Sequence, residues 1–145
     1  MEEASPQPFV PYWMRGFLLL ASFYNLFWAI FIYWFPDSFY RWVTQRSEDA
    51  PLIISWQAIG IFIFSVFYFL TALYPKKFRI LITLGILSKL LGGVWFYLHV
   101  MEQTVNKKFF FHLIANDLIW IPLFAFIAFR MFTKKDQYGR EVKSD

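Results

Sequence analysis

The chain has 145 residues and a formal net charge of +4, with 59% hydrophobic, 24% aromatic and only 17% charged residues. Soluble domains run at about 45–50% apolar and about 25% charged, and a chain this short has no room to hide 20 phenylalanines and 7 tryptophans from water. Composition therefore excludes a soluble fold; the basic residues sit at the ends of apolar runs, which argues against nucleic acid, and the absence of cysteine removes disulfides, thiolate metal sites and thiol nucleophiles.

The start, MEEASPQPF, has no basic n-region and no small-residue cleavage site ahead of the first apolar run. It does not read as a signal peptide, and that first run is expected to remain as an anchor. A spanning helix needs roughly 20 mostly apolar residues. Four segments qualify, predicted at residues 16–35, 52–74, 80–100 and 109–129. Arg15 and Pro36 bracket the first, and Pro51 and Pro75 the second. Lys76, Lys77 and Arg79 separate the second from the third. Lys107 and Lys108 precede the fourth, and Arg130, Lys134 and Lys135 follow it. The expected fold is all-α: a polytopic membrane protein, one four-transmembrane-helix bundle.

Positive charge sets the expected orientation. One side holds Arg15, Lys76, Lys77, Arg79, Arg130, Lys134, Lys135, Arg140 and Lys143; the other holds only Arg41, Arg46, Lys107 and Lys108. Both termini are therefore expected in the cytoplasm, and residues 130–145 as a charged, solvated tail. Tyr12, Trp13, Tyr33, Trp34, Tyr40, Trp42, Trp56, Tyr74 and Tyr97 fall near span ends, as an aromatic belt does. In the longest connection, residues 36–51, Phe39, Tyr40, Trp42 and Val43 suggest a short helix lying on the outer surface.

Two ionisable residues lie deep in the spans, where a charge costs roughly 2.5–3.5 kcal/mol on insertion scales. Lys89 is about 16 Å below the outer end of the third span and Asp117 about 12 Å below that of the fourth, at 1.5 Å per residue. That difference is within reach of a lysine stem, so an ion pair between antiparallel neighbours is expected. Gly85, Gly92 and Gly93 share helical spacing with Lys89 and allow another helix to approach. Asn25, Gln57 and Asn116, with Gly60 near Gln57, supply further polar groups that hydrocarbon leaves without partners. Pro122 is expected to bend the last helix and free the carbonyl of Leu118. His99, Glu102 and His112 form a weak candidate metal set near the outer helix ends; their spacing matches no recognised motif, and no metal or other cofactor is expected. There is no phosphate-binding glycine loop, no HExxH and no hydrolase elbow.

These residues sit in an ordered string: YNLFW (residues 24–28), WQAIG (56–60), then Tyr68, Ala72 and Pro75, GILSKLLG (85–92) and NDLIWIPLF (116–124). The string resembles a family of small four-helix bacterial membrane proteins of unassigned function, with the likeness running over residues 24–126 and NDLIW-x-P-x-F as its most specific part. A looser likeness to DoxX-type proteins rests on size and helix count. The resemblance implies the inner (plasma) membrane and points to Asn25, Gln57, Lys89, Asn116 and Asp117. Some such proteins are labelled alkyl hydroperoxide reductase, but thiol peroxidase chemistry needs a thiolate that this chain lacks.

Three readings of function follow. In the first, the Lys89–Asp117 pair is the core of a polar pocket that binds or transports a small ligand or protons. Four helices are few for a complete transporter, so a homodimer goes with this reading. In the second, the chain is an assembly or accessory subunit, and its aromatic surface meets another membrane protein. In the third, it is a membrane-embedded enzyme acting on a lipid or quinone, with Asp117 as general acid or base and Lys89 tuning it. No nucleophile or metal motif supports the third, so the balance leans away from an enzyme.

Overall fold

The computed structural model describes residues 9–141. Every element among them is helical. Helix α1 is Tyr12–Trp34, α2 Pro36–Thr44, α3 Leu52–Leu73, α4 Pro75–His99 and α5 Lys107–Leu113. A π-helical segment, Ile114–Leu118, joins α5 to α6, Trp120–Glu141. Four stretches are long and apolar enough to cross a membrane: α1, α3, α4 and the continuous rod Lys107–Thr133. The unbroken apolar runs explain why: straight-chain and aromatic residues leave no polar group competing for the backbone, and prolines stand at the boundaries rather than inside the first three helices.

The helices pack in sequence, α1 on α3, α3 on α4 and α4 on α6. Small residues make the α1–α3 contact close. Ala21, Ser22, Asn25 and Ala29 of α1 are buried, as are Ala58, Ser65 and Ala72 of α3. Ser22 Oγ donates to the Ser65 carbonyl at 2.9 Å and Ser65 Oγ to the Ser22 carbonyl at 2.8 Å. Such reciprocal bonds suit a medium in which apolar burial gives no preference for helix over lipid. The C-terminal carbonyls of α3 are taken by a cation: Arg15 Nε donates to the Ala72 carbonyl at 2.7 Å.

Two apolar cores result. One lies toward the end holding the N-terminus of α1 and the far part of α6, and gathers Met14, Leu18, Tyr68, Ile82, Phe124 and Ile127. The other lies toward the α2 end and gathers Ile32, Phe39, Val43, Ile54, Phe96 and Phe109.

Several expectations are corrected. Helix α2 exists, and its apolar side turns onto the bundle. Phe39 and Val43 are fully buried and Tyr40 nearly so, because the helix plugs the bundle end against α1, α3 and α5. Tyr40 thus leaves the exposed belt, and Trp42 and Tyr97 are half-buried. Tyr12, Trp13, Tyr33, Trp34, Trp56 and Tyr74 are exposed. Helix α4 begins at Pro75 rather than residue 80, since proline suits a first helical turn; a kink at Phe78, with φ −110° and ψ 20°, separates that turn from the long rod. The segment 130–133 continues α6, whose backbone stays helical to Glu141, so only the last residues of the expected tail, 142–145, lie outside the described residues. Residues 1–8, on which the signal-peptide reading rests, lie outside them as well. The irregular turn falls ahead of Pro122, as expected, and takes in both Asp117 and Leu118. Ile119 N–H reaches back five residues to the Ile114 carbonyl at 3.1 Å. A widened π turn leaves carbonyls without their usual donors, and side chains take two of them: Trp120 Nε1 donates to Ala115 O at 3.0 Å, and Lys89 Nζ donates to Asn116 O.

Candidate functional site

Between the two cores lies a cavity of about 350 Å³, open on one side of the bundle. That is within the range of roughly 300–1,000 Å³ typical of ligand pockets. All five polar residues singled out by sequence line it: Asn25 from α1, Gln57 from α3, Lys89 from α4, and Asn116 and Asp117 from the π segment. Helical period explains the convergence, because Gly85, Lys89, Gly93 and Phe96 are the buried stripe of α4 and carry the lysine inward.

Lys89 is 8% exposed, and its Nζ lies 3.5 Å from Asp117 Oδ1. Its bond to the Asn116 carbonyl anchors the ammonium on the same widened turn that presents the aspartate. The Lys89–Asp117 pair is therefore set by backbone geometry as well as by charge. Asp117 is 20% exposed, which leaves part of its carboxylate facing the cavity. Gln57 Oε1 is buried with no hydrogen-bond partner among the described residues. An acceptor in that position loses its hydration without compensation, which costs about 1–3 kcal/mol.

Sequence reasoning placed His112 with His99 and Glu102, and the structure separates the three. His99 is at the surface, stacked on Trp95 with centroids 5.6 Å apart. Glu102 pairs with Arg46 at 3.1 Å, fastening the α2–α3 connection to the turn after α4. His112 is 7% exposed and lines the cavity. Its Nδ1 is 2.8 Å from Asn116 Nδ2, which fixes the acceptor at Nδ1 and the ring proton at Nε2. Trp28, Phe39, Trp42 and Phe96 surround the imidazole at centroid distances of 5.3–6.4 Å. Among the described residues no three His, Cys, Asp or Glu side chains gather as a metal site would require.

Tyr68 was the other residue missed as a site residue. It is 1% exposed, lines the cavity and packs against Phe124 with tilted rings 4.7 Å apart. Its signal was Gly85, one of the small residues beside Lys89: a Cβ built there would lie 2.5 Å from Tyr68 Cε1, so the glycine exists to admit the phenol ring. No protein-family model, curated protein or solved structure matches the chain. The reading of the site therefore rests on its own geometry.

Chemically, the site offers one cation, one anion, a histidine held as the neutral Nε2–H tautomer, three carboxamides and aromatic walls from Trp28, Trp95 and Phe96. It contains no nucleophilic thiol and no gathered metal ligands. It is equipped for recognition by hydrogen bonds.

Proposed function

We propose that the chain is a multi-pass protein of the plasma (inner) membrane, both termini cytoplasmic, whose polar-floored cavity binds a small ligand through Lys89, Asp117, Asn25, Gln57 and Asn116. The orientation follows from the excess of lysine and arginine on the side of the termini. The observation that supports binding over a purely structural pair is the empty space beside the pair. A pair kept only to fix packing would be closed in by side chains. Here about 350 Å³ adjoins it, and an unpartnered Gln57 oxygen points to a missing donor. Protons or a transported solute fit the same groups, and a homodimer would extend the path beyond four helices.

Native mass spectrometry of protein released directly from membranes tests this reading. Wild type is expected to retain a bound small molecule, and Lys89→Met and Asp117→Asn to lose it while inserting normally. Indistinguishable spectra for wild type and both variants would reduce the pair to packing. A stoichiometric protein partner in the wild-type spectrum would favour the accessory-subunit reading.

A further inference from the structure

We propose, on the basis of the binding reading above, that the cavity is loaded sideways from the lipid phase through the seam between α3 and α4. Its ligand is a neutral amphiphile whose head carries both a hydroxyl donor and an oxygen acceptor.

The seam is closed at one end and open at the other. On the Pro75 side of Lys89, the ring of Tyr68 fills the space over Gly85. Toward the α2 end, Gly60 of α3 and Gly92 of α4 both line the cavity, and a Cβ on either would meet nothing within 4 Å. Of the cavity's lining residues, the exposed ones are Ile53, Trp56 and Gly92, all on α3 or α4. Those from α1, α5 and the π segment are buried or half-buried. The opening is also deep. Gly60 lies about 12 Å from the start of α3, and Gly92 about 10 Å from the end of α4, at 1.5 Å per residue. With Ile53 and Trp56 in the first turns of α3 also exposed, the mouth runs from headgroup level down to acyl-chain depth between two spanning helices, which suits a molecule lying in the lipid with its head at the interface.

The polar floor selects the head. Lys89 and Asp117 already cancel, and an ionic head would add a net charge in a low-dielectric site. Gln57 Oε1 lacks a donor, which a hydroxyl supplies. The ammonium has three protons, of which the Asn116 carbonyl and Asp117 take two, leaving one for a ligand oxygen. Flat walls from Trp28, Trp95 and Phe96 suit a ring-bearing head.

The test uses the full chain in lipid nanodiscs and three amphiphiles with similar tails: para-nonylphenol, decanoate and decyltrimethylammonium. Cavity tryptophan fluorescence reads equilibrium binding and, by stopped flow, association. Para-nonylphenol is expected to bind at least about tenfold tighter than either ion, a difference of about 1.4 kcal/mol. Gly92→Leu, and independently Gly60→Leu, are expected to slow association at least tenfold, because each fills the mouth and leaves every polar group in place. Association unchanged in both leucine variants would overturn lateral entry, and tighter binding of either ion would overturn the neutral head. If binding of para-nonylphenol is lost in Lys89→Met but insensitive to both leucines, only the route fails. If wild type binds none of the three probes, the ligand class fails here, while the mass-spectrometric result judges the binding reading separately.

Discussion

Gly85 and Gly92 stand two turns apart on one helix and do opposite things. At Gly85 the missing side chain is filled from across the seam by Tyr68, itself packed against Phe124. At Gly92 the missing side chain is filled by nothing. The same substitution in evolution's vocabulary therefore makes a tight crossing at one end of the α3–α4 seam and a vacancy at the other. The lesson is that small residues on a membrane helix mark close approach only where a partner of complementary bulk faces them. Without that partner they mark a cavity, and here the buried lysine lies between the two cases.

The comparison breaks most visibly at the closed end. Phe124 is fully buried and packs on both Tyr68 and Trp120. Phe124→Ala is expected to cost about 3–5 kcal/mol, because removing a core ring leaves a cavity that a rigid crossing does not refill. Denaturant titration in mild detergent measures it; a cost under about 1 kcal/mol would mean the closed end is no better packed than the open one. Gly85→Ala comes next, at about 1–3 kcal/mol by overpacking, since the added carbon would lie 2.5 Å from the ring of a buried tyrosine packed on Phe124. Reversal of that loss in the double variant Gly85→Ala with Tyr68→Leu would locate the clash in this one contact.

Much of this arrangement was legible in the chain. Span count followed from the apolar runs, and the meeting of Lys89 with Asp117 followed from counting residues back to a shared loop. What was not legible depended on tertiary packing. His112 read as an interfacial residue because it lies near the start of the fourth apolar run. It is buried because α2 folds over that end and brings Phe39 and Trp42 against it. The amphipathic pattern of α2 fits a membrane surface and a bundle end equally well, since both offer an apolar bed beneath a polar rim. The π segment was hidden for a similar reason. Pro122 announced an irregular turn, but which carbonyls it would free depended on the Lys89 ammonium, which takes Asn116 O, and the Trp120 indole, which takes Ala115 O.

The smallest effect is the sharpest test, because it asks for a change of sign. Gly92→Ala places a methyl group where nothing lies within 4 Å, so no contact opposes it. Alanine in a helix interior is favoured over glycine by about 0.5–1 kcal/mol through the entropy of the unfolded backbone. The variant is therefore expected to stabilise the protein by about that amount, while Gly85→Ala on the same helix destabilises it. The same detergent titration compares the two. A Gly92→Ala protein that is destabilised as much as Gly85→Ala would show that the seam closes over Gly92 in the folded protein. The vacancy, and with it the lateral mouth to the cavity, would then have no place in the fold.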